Sequence, residues 1–133
     1  MSVVLLDTVG LLALWDTGDQ WHPVAQSAYD KLAQAKTPMV TTTFVLLECG
    51  NAGARRPFRL AVDRLCKQMQ NEGALIVPTE DDWTSAWSAY RKGEADSAGI
   101  VDQVSFAVMR RLGLRQAFTN DRHFHAAGFE LCF

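Results

Sequence analysis

The sequence predicts an α/β fold, a three-layer α/β/α arrangement in which a mostly parallel sheet of four or five strands lies between helices. Two observations indicate this fold and its organisation as one domain. Short apolar runs alternate along the chain with longer segments that have helical periodicity. No internal repeat, low-complexity tract or Pro/Gly/Ser-rich linker interrupts the 133 residues, so residues 1–133 are expected to form a single domain.

The predicted strands are short and apolar or β-branched. The first run, VVLL, has no polar residue until it meets Asp7, which is typical of a strand buried on both faces. Pro38 precedes the second run and Pro78 closes the third. The expected strands are residues 3–6, 39–42, 74–77, 116–119 and, at an edge of the sheet, 130–132.

Helices are predicted where apolar residues recur at three- and four-residue spacing. The expected helices are residues 8–15, 21–35, 44–52, 57–72, 80–92 and 100–112, with a polar loop at 93–99. Thr43 can cap the third helix, and Pro57 is expected to begin the fourth. Trp83, Trp87 and Tyr90 share one face of the fifth helix and are expected in the core.

Composition excludes several classes of protein. Hydrophobic residues make up 48% of the chain and charged residues 21%, which excludes intrinsic disorder. The apolar runs are far shorter than the ~20 residues of a membrane span, and the first residues do not have the pattern of a signal peptide. Cys49, Cys66 and Cys132 are odd in number and widely spaced, so neither a disulfide framework nor a cysteine metal site is expected. A reducing, cytoplasmic location follows as an expectation.

Four acidic residues occupy similar positions relative to the predicted elements. Asp7 and Asp121 follow strands, Glu48 lies one turn into a helix that follows a strand, and Asp102 opens a helix. Because the carboxyl ends of parallel strands meet at one edge of a sheet, all four are expected there. Singly, Asp7 or Asp102 could cap a helix and Glu48 could pair with an arginine. Together they would repel one another, and a divalent cation such as Mg²⁺ or Mn²⁺ removes that cost.

Three stretches of the chain resemble the PIN-domain family. VVLLDTVGLLALWD resembles the opening of a PIN domain, and TTTFVLLE resembles its second acidic motif. The closing stretch DSAGIVDQVSFAVMRRLGLRQAFTNDRHFHAAGF is similar to the C-terminal half of the family. Its DRHF and AGF segments are typical of VapC-type toxins of bacterial toxin–antitoxin pairs. The resemblance covers essentially the whole chain.

The resemblance implies a Mg²⁺- or Mn²⁺-dependent endoribonuclease that has no nucleotide cofactor. The acidic quartet of the family corresponds here to Asp7, Glu48, Asp102 and Asp121, and its small hydroxyl near the metal corresponds to Thr8, with Thr119 as a second candidate. In the implied mechanism, metal-activated water attacks the scissile phosphate in line, leaving a 5′-phosphate and a 3′-hydroxyl. The implied partners are an RNA substrate, a small antitoxin whose tail blocks the acidic site, and a second copy of the chain.

Basic residues outside the quartet are candidates for contact with RNA phosphates. The segment from Arg55 to Lys67 has a net charge of +4 on a chain whose net charge is −2. Arg55, Arg56 and Arg59 are expected at the start of the fourth helix, near the acidic pocket, although they could instead face a dimer partner or an antitoxin. Arg122 is a further candidate because it follows Asp121 directly.

Two residues beside the quartet have an open interpretation. Asp96 lies six residues before Asp102 and is either a solvated loop acid or a secondary contact to the metal or to water. His123 follows Asp121 by two residues, and a histidine there more often packs or caps a helix than binds metal.

Other functions explain the residues less well. A haloacid dehalogenase-type phosphotransferase needs a second Asp two residues after the first, where this chain has Val9. A receiver-like phosphoacceptor needs an Asp at the third strand, which has none. A PIN-like module that binds RNA or protein without cutting remains an alternative, and loss of Mg²⁺ or Mn²⁺ binding in Asp7→Asn would distinguish a metal centre from it.

Overall fold

A computed structural model describes residues 2–133 and shows one sheet of five parallel strands. The order across the sheet is β3-β2-β1-β4-β5. The strands are β1 Val4–Leu6, β2 Met39–Thr42, β3 Leu75–Ile76, β4 Gln116–Phe118 and β5 Glu130–Leu131. In the centre, Leu5 pairs with Val40 on one side and with Ala117 on the other. The predicted fold class is confirmed.

Helices connect the strands and cover both faces of the sheet. They are α1 Thr8–Trp15, α2 His22–Gln34, α3 Thr43–Gly53, α4 Arg59–Asn71, α5 Glu80–Arg91, α6 Glu94–Ser97, α7 Ile100–Leu112 and α8 Arg122–Ala126. Thr42 caps α3 by accepting a hydrogen bond from the Val45 amide at 3.1 Å. Thr79 and Asp82 form a reciprocal capping box at the start of α5.

Strand alternation divides the core into two layers. Val4 and Leu6 pack on one face of the sheet, together with residues of α1, α2, α3 and α4. Leu5 packs on the other face, against Phe106 of α7 and Phe124 of α8. All three β1 residues are fully buried, and each buried leucine stabilises the fold by roughly 1.5–3 kcal/mol. The result is the three-layer arrangement that the sequence predicts.

The sequence places some elements incorrectly. The fourth helix begins at Arg59, because Phe58 is its N-cap, so Arg55 and Arg56 lie in the turn before it rather than in its first turn. The segment predicted as a polar loop contains α6, a single turn with left-handed backbone angles. A short helix α8 follows β4 and has no counterpart among the predicted helices.

Two of the three aromatic residues of α5 are not core residues. Trp83 and Tyr90 are 48% and 47% exposed, so their expected place in the core is wrong. Trp87 is partly buried and meets Trp83 edge to face at 5.9 Å. The small residue Ala86 makes the fully buried contact, against Val104 and Val108 of α7.

Two sequence-based exclusions can be compared with the structure. Across residues 2–133, helices are too short or too polar to span a lipid bilayer. Cys49, Cys66 and Cys132 are all free thiols, as their number and spacing predict.

Candidate active site

The order of the strands identifies one edge of the sheet as the place for a ligand. The chain starts at the central strand β1, adds β2 and β3 on one side and then returns to add β4 and β5 on the other. In open parallel sheets, ligands bind beyond the carboxyl ends of the strands where the order reverses. Here that position lies between β1 and β4, after Leu6 and Phe118.

Asp7 follows β1 directly and is 1% exposed. Its side chain caps α1 by accepting a hydrogen bond from the Val9 amide at 3.3 Å, so the capping role considered from sequence is real. Its other oxygen, Oδ1, is buried without a hydrogen-bond partner. Burial raises the pKa of Asp7 to about 7, an effect that the Thr119 hydroxyl and nearby backbone amides partly offset. A buried, unpartnered carboxylate oxygen is available to bind a ligand.

Glu48 reaches the same place from α3. Its Oε1 accepts a hydrogen bond of 2.6 Å from the hydroxyl of Thr8, the first residue of α1. The bond fixes the carboxylate beside Asp7, and it assigns Thr8 a defined partner within the candidate quartet.

Asp102 lies in the first turn of α7 and is half-buried. Its pKa is raised to about 7, first by burial and then by the charges of Asp7, Asp121 and Glu48, while His123 lowers it. Each of the other three carboxylates therefore acts on Asp102. The four acidic residues predicted from sequence lie in one electrostatic environment.

Asp121 is held by its own loop. Its amide donates a hydrogen bond of 3.0 Å to the buried Thr119 hydroxyl, and its Oδ1 accepts one of 3.0 Å from the His123 amide. The ring Nδ1 of His123 lies 2.7 Å from the same oxygen. The bond to Asp121 raises the pKa of His123. Thr119 thus holds the backbone of Asp121, and His123 orients its carboxylate.

Potential metal ligands converge at this edge. One ligand atom each from Asp102, Asp121 and His123 lie within 4.8 Å of one another. Asp7 and Glu48 lie close enough to influence Asp102 by charge. A set dominated by carboxylate oxygens suits Mg²⁺ or Mn²⁺ better than softer metals.

A glycine allows the two central strands to present these groups together. A Cβ at Gly10 would lie 2.0 Å from the backbone oxygen of Phe118. Only a residue without a side chain lets α1 approach the end of β4 this closely. The contact brings the segment that carries Asp7 beside the segment that carries Thr119 and Asp121.

The basic candidates take different places. Arg56 forms a salt bridge with Asp16 at 2.9 Å and lies over the Phe58 ring. Arg59 donates a hydrogen bond of 3.0 Å to the Ala54 carbonyl. Arg55 is exposed in the turn before α4, and Arg122 is exposed at the first position of α8. Of these four arginines, Arg122 is next to a quartet residue in sequence.

The chain is similar in sequence and fold to proteins of known function. No family model matches the chain. Two Mycobacterium tuberculosis proteins, from strains CDC 1551 / Oshkosh and H37Rv, are both described as the 23S rRNA-specific endonuclease VapC20. Each is 32% identical to this chain over 129 residues, which cover 96% of this chain and 95% of the relative. The crystal structure of M. tuberculosis VapC20, described as a sarcin–ricin loop cleaving toxin, superposes with a TM-score of 0.77 at 30% identity, covering 96% of both chains.

The chain belongs to the VapC family of PIN-domain toxin ribonucleases. The resemblance stated from its motifs is thereby confirmed, as are the fold that it implied and the general activity, a nuclease that acts on RNA. Family membership excludes a phosphotransferase and a receiver domain. It also favours a ribonuclease over a module that binds RNA or protein without cutting.

Two features of this VapC-type site escaped the sequence analysis. The contact between Gly10 and Phe118 had no local signal, because a glycine in a short apolar helix looks like a weak helix residue. The place of His123 against Asp121 had a signal that was discounted, namely a histidine two residues after a strand-end carboxylate.

Proposed function

We propose that this chain is a metal-dependent endoribonuclease whose acidic quartet is Asp7, Glu48, Asp102 and Asp121. The observation that supports it most is the buried Oδ1 of Asp7, which has no hydrogen-bond partner. The three other acidic residues of the quartet lie nearby. Such an arrangement is costly in the absence of a cation, because burial and like charges both oppose ionisation.

The residues fit a divalent ion, for which we propose Mg²⁺ or Mn²⁺. The unpartnered Asp7 oxygen and the convergent atoms of Asp102 and Asp121 would supply the ligands, with Glu48 as the fourth acid. When bound, the ion supplies Lewis acidity, which neutralises charge on the scissile phosphate and lowers the pKa of an attacking water.

The other side chains orient this set. The Thr8 hydroxyl holds Glu48, and Thr119 and His123 hold Asp121, so the acids are arranged before substrate arrives. A carboxylate of the quartet that does not bind the ion would accept the proton of the attacking water. In-line attack leaves a 5′-phosphate and a 3′-hydroxyl.

The substrate that we propose to test first is the sarcin–ricin loop of 23S rRNA. The M. tuberculosis relative is described as specific for that RNA, and it matches this chain over almost its full length. A structured loop presents unpaired nucleotides, which are the usual targets of sequence-specific RNA recognition.

The experiment compares Asp7→Asn and Asp102→Asn with the wild-type protein. Each change removes a charge from the quartet and keeps the shape of the side chain. We expect cleavage of a sarcin–ricin loop oligonucleotide in Mg²⁺ to fall at least a hundredfold, with an unchanged circular dichroism spectrum. Asp30→Asn, at an exposed position of α2, is the control and should cut at the wild-type rate. Wild-type cleavage by Asp7→Asn would disprove the proposed site.

The partners that we propose are a small antitoxin and a second copy of the chain, acting in the cytoplasm. An apolar groove of about 680 Å³ between α3 and α4 supports a protein partner. Leu47 and Leu60 line it and are 67% and 69% exposed, which is unusual for leucine. Light scattering of the purified chain, alone and co-expressed with the product of a neighbouring gene, would test both partners.

A further inference from the structure

Gln103 is a buried neighbour of Asp102, and its side-chain hydrogen bonds go to the turn around Glu94–Ser97 and not to the acidic quartet. It follows Asp102 on α7 and is 2% exposed. Its Nε2 donates a hydrogen bond of 2.9 Å to the Glu94 carbonyl and a longer one of 3.5 Å to the Ala98 carbonyl. A buried amide that bonds to both ends of one turn determines the position of that turn.

The turn that Gln103 holds has an unfavourable backbone. Ala95, Asp96 and Ser97 have φ angles of 53°, 58° and 58°, and none of them is glycine. Each such residue costs about 1–2 kcal/mol relative to ordinary backbone, so the conformation needs contacts that enforce it. Within the turn, the Ser97 amide donates to the Gly93 carbonyl at 3.1 Å.

The strained turn faces the quartet. It packs against α8, the helix that Asp121 caps and that carries His123. The buried Ala98 at its end belongs to the same core layer as Phe124 of α8. Asp96 belongs to this turn, and its charge is close enough to contribute to the raised pKa of His123.

We propose that Gln103 is a positioning residue, whose buried amide holds the turn Glu94–Ser97 so that the Asp96 carboxylate faces the acidic pocket from outside its quartet. The inference rests on the proposed function, because it takes the pocket to be a divalent-cation site. Asp96 adds negative potential at the entrance without touching the ion, and Gln103 acts only through Asp96.

Metal affinity tests this directly, with Mn²⁺ as the probe and its dissociation constant measured by electron paramagnetic resonance on the full chain. Asp96→Asn should raise the dissociation constant about three- to tenfold, the size expected for a charge acting across water. Gln103→Met keeps the length of the side chain but removes the donor, and it should give a similar increase.

The double variant separates positioning from general damage. If Gln103 acts through Asp96, then Gln103→Met in the Asp96→Asn background should leave the dissociation constant within twofold of Asp96→Asn alone. Multiplied effects would overturn the proposal, because Gln103 would then act by another route. Unchanged Mn²⁺ affinity in Asp96→Asn would also overturn it, and this arm does not depend on whether Gln103→Met folds.

A rescue variant tests the role of the turn. Ser97→Gly removes backbone strain at a φ of 58°, so it should recover part of the Mn²⁺ affinity lost in Gln103→Met. Failure of that rescue in a folded protein would contradict the proposal. Asp7→Asn is the control for the metal site itself. If the quartet is not the metal site, Asp7→Asn leaves Mn²⁺ binding intact. If only the role of the turn is wrong, Asp7→Asn still weakens Mn²⁺ binding.

Discussion

The Thr8 hydroxyl donates a 2.6 Å hydrogen bond to Glu48, which lies 40 residues further along the chain. The bond joins the first turn of α1 to α3 across the ends of β1 and β2. Each of these helices follows its strand almost directly, so Asp7 at the N-cap of α1 and Glu48 in the second turn of α3 lie near the same edge. The Thr8 hydroxyl thus joins Glu48 to the residue that follows Asp7.

Removal of this hydroxyl should impair cleavage more than folding. Thr8→Val keeps the shape of the side chain but frees the Glu48 carboxylate, and a hydrogen bond to a charged group contributes about 1.5–3 kcal/mol. We expect kcat/KM for RNA cleavage to fall about tenfold or more, whereas Thr8→Ser, which retains the donor, should stay within threefold of wild type. Equal activity of the two variants would show that the bond has no functional role.

The pKa values of Asp7 and Asp102 make the metal-free protein less stable as pH rises. Both are raised from an ordinary 3.8 to about 7, so between those values the folded state holds protons that the unfolded chain has released. The free energy of unfolding therefore falls across this window. Asp82, whose pKa is lowered by its hydrogen bonds to Arg111, changes the stability only at pH values below this window. We expect the melting temperature in EDTA to drop by about 5 °C or more from pH 5 to pH 8.

One control variant identifies the source of that loss. His123, whose pKa is raised above 6.5 by its bond to Asp121, contributes in the same direction, so the comparison with Asp7→Asn is needed. Asp7→Asn should flatten the pH dependence and raise the melting temperature at pH 8. A slope as steep as that of wild type would mean that Asp7 is ionised at little cost in the folded protein.

Metal binding should show the opposite dependence on pH. Since Asp7 and Asp102 must lose protons to bind a cation, Mn²⁺ affinity should increase between pH 6 and pH 8. The increase should reach up to about tenfold per pH unit for each proton released. Isothermal titration calorimetry in two buffers of different ionisation enthalpy would count those protons, and release of none would contradict the raised pKa values.

Sequence patterns predicted this fold well where they reflect burial. Val4, Leu5 and Leu6 form an apolar run because both faces of β1 are covered, so the strand is evident without a structure. The exposure of Trp83 was not predictable, because periodicity assigns residues to a face of α5 but does not say whether that face is the one that packs on α7.

Sequence patterns named the candidate acidic residues but not the contacts that hold them. The positions of Asp7 and Asp121 after strands follow from the rule that parallel strands end together. The left-handed turn at Asp96 contradicts local preference, since no residue from Ala95 to Ser97 is a glycine, and Gln103, which bonds to it, lies outside the turn. Contacts between residues far apart in sequence leave no periodic signal.

The close approach of Gly10 to Phe118 predicts a sharp loss in Gly10→Ala. The added Cβ would lie 2.0 Å from the Phe118 carbonyl oxygen, so α1 must shift away from β4. We expect the free energy of unfolding to decrease by about 1–3 kcal/mol and Mn²⁺ affinity to fall as Asp7 moves. Gly50→Ala is the matched control, because a Cβ there meets nothing within 4 Å on an exposed face of α3. That change should stabilise the protein by about 0.5–1 kcal/mol, measured by urea unfolding.

RNA must approach an acidic site, so cations near it are needed to attract phosphate. Arg56 is already paired with Asp16, which leaves Arg122, exposed next to Asp121, as the better placed candidate for guiding RNA. Arg122→Gln should weaken RNA binding and reduce the slope of log K against log salt by about 0.7, the value of one phosphate contact on a single strand. Lys36→Gln, just before β2 at the opposite edge of the sheet, should leave the slope unchanged. If Arg55→Gln reduces the slope and Arg122→Gln does not, the RNA passes over the turn before α4 instead, as the basic segment from Arg55 to Lys67 first indicated.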